Sequence, residues 1–163
     1  MDRLQVSEIA MRHRARSGRP DAIRGADSVI EEQIRGQVDA LWMQLGAECV
    51  AFCDAYNAAY GADRVYCQPH DDAIVVRSAD EPQETVTFTR FPHGSIDRSH
   101  LAAHRYSLSA APVDIPLETH VANRTVFLRL DGRIVNASDL VLAILERFTG
   151  ELSTQVASTL PPD

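Results

Sequence analysis

The chain has 163 residues, 45% of them hydrophobic and 24% charged, which suits one domain with a sizeable core. No apolar run approaches the ~20 residues that a membrane-spanning helix needs. The net charge of −7 is uneven: in residues 1–25 six arginines stand against Asp2, Glu8 and Asp21, a net of +3, so the remainder carries −10.

That asymmetry bears on partners. An acidic body disfavours bulk nucleic-acid binding, and the basic stretch lacks interleaved aromatics, so neither nucleic acid nor a membrane is expected as a partner. We expect residues 1–25 to be a basic leader, partly disordered or a short helix docking on the acidic body. Residues 26–150 then form a single α+β domain, and residues 151–163 a frayed tail. Met1 to Arg16 has no apolar h-region, so it is not read as a secretory signal, and a cytoplasmic location is the default expectation. All 16 basic residues are arginine, which leaves no lysine for a Schiff base or a phosphate-gripping loop.

Taken in chain order, the first strong pattern is a helix from Ser28 to Tyr60. Ser28 and Glu31 have capping-box spacing. Ile34, Val38, Leu41, Leu45, Cys49, Phe52 and Tyr56 recur in steps of four and three, which makes one apolar face. Trp42, Gly46, Val50 and Cys53 widen it. Gly61 stands where a left-handed cap is wanted. Unbroken, this helix would be roughly 50 Å long. Its first turns therefore need cover: Gly36 bends it, the leader folds back on it, or a second copy packs there.

Short strands follow. Val65 to Gln68, Ala73 to Arg77, Glu84 to Phe91 and Leu101 to Leu108 alternate between turn signals. Residues 109–120, with Pro112 and Pro116, read as an irregular connection. Asn123 to Leu130 is a strand, Asp131-Gly132 a hairpin turn, and Arg133 to Val135 the return. A last helix spans Ser138 to Phe148, capped by Asn136 or Ser138. It buries Leu140, Val141, Ile144, Leu145 and Phe148, and Gly150 stops it. The order predicts a two-layer α+β fold: a long N-terminal and a C-terminal helix on one face of an antiparallel meander of about five to six strands. Many small bacterial domains share this layout, and no motif here names a family.

Candidate chemistry is sparse. His93, Asp97 and His100 flank one turn and are the weak candidates for a metal. His100 and His104 have helical metal-site spacing, but on a strand they would sit roughly 13 Å apart. No nucleophile elbow or glycine-rich loop is present, so no catalytic residue and no cofactor is assigned. Cys49, Cys53 and Cys67 read as buried thiols rather than a disulfide framework. Two surfaces remain. With Ile74, Val76, Val86, Phe88, Tyr106 and Leu108 turned to the helices, alternation sends Arg77, Arg105, Phe127 and Arg129 to an outer face. Trp42, Phe52, Tyr56 and Phe88 could instead line a pocket between helix and sheet. The sequence thus points to a non-catalytic binding domain, a homodimer through its sheet face or long helix, with another protein as a further partner. A small-molecule carrier or sensor is the alternative, and a metal-dependent enzyme at His93 to His104 the third.

Overall fold

An apolar stripe that repeats every three to four residues from Ile34 to Tyr56 can be buried only along a helix. The computed structural model shows one, α1, over Asp21–Tyr60. It describes residues 21–80, 83–91, 99–107 and 110–159, with side chains at 28–80, 83–91, 99–107 and 111–150. At 40 residues, α1 is about 60 Å long. It begins seven residues before Ser28, so the expected capping box is an exposed stretch of helix and caps nothing. The predicted face is the one buried: Val38, Trp42, Leu45, Cys49 and Cys53 lie in the core, with Leu41, Phe52 and Tyr56 packed against it. Gly61 ends the helix at φ 77°, its N–H donating to the Asn57 carbonyl at 2.9 Å.

The eight strands are β1 Val65–Pro69, β2 Ala73–Ser78, β3 Glu84–Arg90, β4 Leu101–Ser107, β5 Ala110–Ile115, β6 Leu117–Ala122, β7 Thr125–Leu130 and β8 Arg133–Val135. Five of them form an antiparallel meander in the order β1-β2-β3-β4-β5, and a small second sheet has the order β6-β7-β8. The last helix, α2, runs over Ala137–Thr159. The fold is α+β, with a long N-terminal helix, a C-terminal helix and an antiparallel meander.

Three local expectations are corrected. Residues 109–120 are not an irregular connection: of those described, all but Pro116 belong to β5 and β6. That proline offers no N–H to either ladder, so the chain leaves one sheet and starts the other at this point. The β6–β7 hairpin turns at Asn123-Arg124, both with positive φ (50° and 61°), where a strand was expected. The Asp131-Gly132 turn is as expected, with φ 51° and 75°. Finally, α2 passes through Gly150 to Thr159; one glycine costs a helix only about 1 kcal/mol. Its buried face is the predicted one, and Asn136 is its cap, Oδ1 accepting from the Asp139 N–H at 2.7 Å.

Both sheets lean on α1 at different heights. Phe88, Ile74, Val76, Val86 and Leu101 point from the meander into the core with Leu45 and Cys49. Further toward the helix N-terminus, Gln37 holds the second sheet. Its Nε2 donates to the Arg124 carbonyl at 2.7 Å and its Oε1 accepts from the Val126 N–H at 2.9 Å. The sheets are also stitched to each other: the His100 N–H donates to Thr119 Oγ1 at 2.8 Å, and the Thr119 N–H to Ser99 Oγ at 2.9 Å.

The α1–β1 connection hangs on Asn57. Its Oδ1 accepts from the N–H groups of Arg64 (2.9 Å) and Val65 (3.1 Å), and its Nδ2 donates to the Val65 carbonyl at 2.8 Å. Asn57→Ala should lower the free energy of unfolding by about 2–3 kcal/mol, since it strands part-buried backbone groups. Urea denaturation measures this; a loss under ~0.5 kcal/mol would mean that water replaces the side chain at no cost.

Candidate groove between the C-terminal helix and the meander

Where β3, β4 and β5 splay from α2, the structure leaves a cavity of about 700 Å³. Its walls are mostly apolar: Val86 and Ile115 on the sheet, Leu130 on β7, Ile144 and Phe148 on α2. Five charged side chains stand among them, and two of these form a pair. Arg105 Nη2 donates to Glu84 Oε2 at 2.5 Å, and its guanidinium lies 5.6 Å from the centre of the Phe148 ring. The Glu84 side chain is only 3% exposed and that of Arg105 19%. Asp114, Asp131 and Arg147 also line the cavity.

Strand register places this pair. Glu84 alternates with Val86 and Phe88 on the inner face of β3. Arg105 lies opposite Val86, and Ser107 opposite Glu84, so the two charges meet on a diagonal across the β3–β4 ladder. The expectation for β4 was one residue out of step. Leu101, Ala103 and Arg105 face inward, while Tyr106 is 44% exposed on the outer face. A one-residue slip of this kind sends every side chain to the opposite face.

The proposed sheet-face set is therefore not assembled on one surface. Arg77 is on the outer face of the meander, hydrogen-bonded to Gln68. Arg105 is on the inner face. Phe127 and Arg129 belong to the second sheet, where Arg129 pairs with Glu118 at 3.5 Å. The meander's outer face instead carries Tyr66 and Tyr106, at the two ends of a register row through Arg77 and Thr85. His104 is beside them, its Nδ1 at 2.6 Å from Asp114 Oδ1.

The four aromatic candidates for a pocket pack together with the core rather than around a void. Trp42 and Phe88 are buried, with Phe52 and Tyr56 partly buried against the same cluster. Trp42 Nε1 donates to the His70 carbonyl at 3.3 Å, and the Phe52 and Tyr56 rings stack at 6.1 Å. Of the metal candidates, His93 and Asp97 lie outside the described residues, and His100 is half-buried at the start of β4. Among the described residues no three His, Cys, Asp or Glu side chains are placed to hold a metal ion.

A second cavity, about 730 Å³, opens at the β1–β2 turn beside Pro69, His70, Asp71, Asp72 and Arg90. Arg90 is paired there with Asp39 of α1. Its Nε is buried with no hydrogen-bond partner among the described residues. No family model, curated protein or solved structure matches the chain.

Sequence reasoning missed Glu84, Arg105 and Phe148 as one site. The signal for Glu84 was present: it shares the parity of Val86 and Phe88, and an inward carboxylate requires a cation nearby. Arg105→Met removes that cation and should destabilise the fold by about 3 kcal/mol. Adding Glu84→Leu should recover most of the loss. Denaturation of both variants checks this, and equal losses in the single and double variants would mean that the two charges are not energetically coupled.

Proposed function

We propose that this protein is a non-catalytic binding domain whose ligand occupies the groove between α2 and strands β3 to β5. One observation carries the reading: an apolar cavity of about 700 Å³ with a neutralised ion pair among its walls. Pockets of some 300–1,000 Å³ with apolar walls and a few convergent polar groups are the usual form of small-molecule sites. The pair also selects the ligand. Glu84 and Arg105 cancel, and of the other charged lining residues Asp114 and Asp131 outnumber Arg147, so an anionic head group would leave water without a net countercharge. An uncharged polar end that both donates and accepts, on a mostly apolar body, meets the carboxylate, the guanidinium and the walls together. On this reading the protein is a carrier or sensor. Its three free cysteines suit a reducing, cytoplasmic setting. Among the described residues no helix is long and apolar enough to cross a membrane.

The test uses two dyes of similar size. The full chain should brighten neutral N-phenyl-1-naphthylamine more strongly than the anionic 1-anilinonaphthalene-8-sulfonate. Ala143→Trp places an indole at the groove from an exposed helix position and should weaken the neutral dye roughly tenfold, about 1.4 kcal/mol, without lowering the melting temperature. Equal binding by the variant would move the site elsewhere.

Association of two copies is a second reading, supported by different residues. Tyr66 (49% exposed) and Tyr106 (44%) stand on a sheet face that no described element covers, and Val29 (50%) is an exposed apolar side chain on α1. Aromatic side chains of this kind are common interface anchors. Sedimentation equilibrium should show a dimer that Tyr66→Glu with Tyr106→Glu returns to a monomer. A monomer for the unaltered chain rejects association, and a dimer that survives both changes rejects this face.

A further inference from the structure

The three cysteines lie on the facing sides of α1 and β1. Cys49 and Cys53 are one helical turn apart on the inner face of α1, and both are buried. Cys67 lies on β1, the strand that packs against α1, opposite Val76 on the inner face of the meander. Cys67 is half-buried, and β1 is an edge of the sheet. Asn57 of α1 is hydrogen-bonded to Val65, and Gly46 of α1 lies against Pro69, where a Cβ on the glycine would stand 3.7 Å from the proline Cβ, so Cys67, midway along β1, falls beside the helix turn between Cys49 and Cys53. Two sheltered sulfurs therefore face a third that solvent can reach.

The thiols are not equivalent. The hydrogen bond to Cys67 and burial both push the Cys49 thiol up, and the same two causes act on Cys53. Cys67 is shifted the other way: its sulfur accepts from Cys49 and Cys53, which favours the thiolate against the opposing effect of burial. The most accessible thiol is thus also the first to ionise, which is the condition for selective oxidation.

We propose that Cys67 is a peroxide-oxidation site, and that its oxidation closes a disulfide to Cys49 or Cys53 that ties β1 to α1. The step balances with a hydroperoxide as the oxidant. The Cys67 sulfur attacks the terminal peroxide oxygen, the O–O bond breaks, and the leaving oxygen takes up a proton. Cys67 is then a sulfenic acid. The sulfur of Cys49 or Cys53 next attacks the Cys67 sulfur, the S–O bond breaks, and water leaves with the proton of the attacking thiol. Two thiols lose two electrons in all, and the peroxide gains them. The reverse reaction needs a dithiol reductant.

The full chain, reduced and then exposed to hydrogen peroxide under native conditions, should lose about 2 Da, the mass of two hydrogens. The number of thiols that iodoacetamide labels after unfolding should fall from the three present to one. Peptide mapping should find Cys67 in the bond. Cys67→Ser should abolish the loss of mass while keeping the circular dichroism spectrum of the unaltered chain. Cys49→Ala with Cys53→Ala should leave Cys67 reactive, trapped by dimedone as the sulfenic acid. That last variant keeps the idea testable without a resolving thiol. Three free thiols after peroxide treatment of the unaltered chain would overturn the proposal. So would a disulfide that forms in Cys67→Ser, since it would join the helix pair alone.

Discussion

The length of α1 sets the terms for everything packed on it. A helix of some 60 Å presents more apolar stripe than one small sheet can cover, because strands in a sheet lie only about 4.8 Å apart. The chain answers with two sheets stacked along the helix. The meander covers the stretch from Trp42 to Tyr56, and the three-stranded sheet covers the neighbourhood of Gln37 and Val38. Pro116 is the joint between them. The second helix, α2, fills the remaining side of the core with Leu140, Val141, Leu145 and Phe148. Dividing the sheet in this way is also what leaves a groove, since β5 departs toward the second sheet where α2 crosses the end of β3 and β4.

Much of this architecture could be read from side-chain periodicity. The buried faces of α1, β2, β3, β7 and α2 were all specified by spacing, because each carries strong hydrophobes at one parity or on one stripe. The failures have physical causes. Residues 109–120 contain two prolines, and the sequence offers no direct sign that β4 and the second hairpin will accept pairing around them. The face of β4 was ambiguous because Leu101 and Ala103 compete with Ala102 and Tyr106, and a helix-facing arginine is unusual enough to tip the reading toward tyrosine. Only the carboxylate on the neighbouring strand decides it. The start of α1 was lost because Ser28 looks like a cap, yet the seven residues from Asp21 to Asp27 are already helix.

The candidate site was less visible for the same reason. Its polar members are separated by some twenty residues of chain and meet only through the β3–β4 register. Its apolar members come from a sheet, a hairpin and a helix, and each looks like ordinary core in isolation. Burying an ion pair in such a place is weak evidence for stability, since two hydrophobic residues of similar volume often do as well or better. Its presence beside Val86, Ile115, Ile144 and Phe148 is therefore easier to connect with recognition than with folding. The aromatic cluster on α1, by contrast, is explained by packing, with Trp42 given its one polar partner at His70.

The meander ends in two strands that are poor templates. At one edge β1 closes on Pro69, and at the other β5 carries Pro112 beside an irregular register with β4. A proline cannot donate to an incoming strand. Growth of the sheet by strand addition from a neighbouring molecule is therefore discouraged at both margins. Contacts between copies are thereby steered away from the meander's margins and toward its broad faces and grooves.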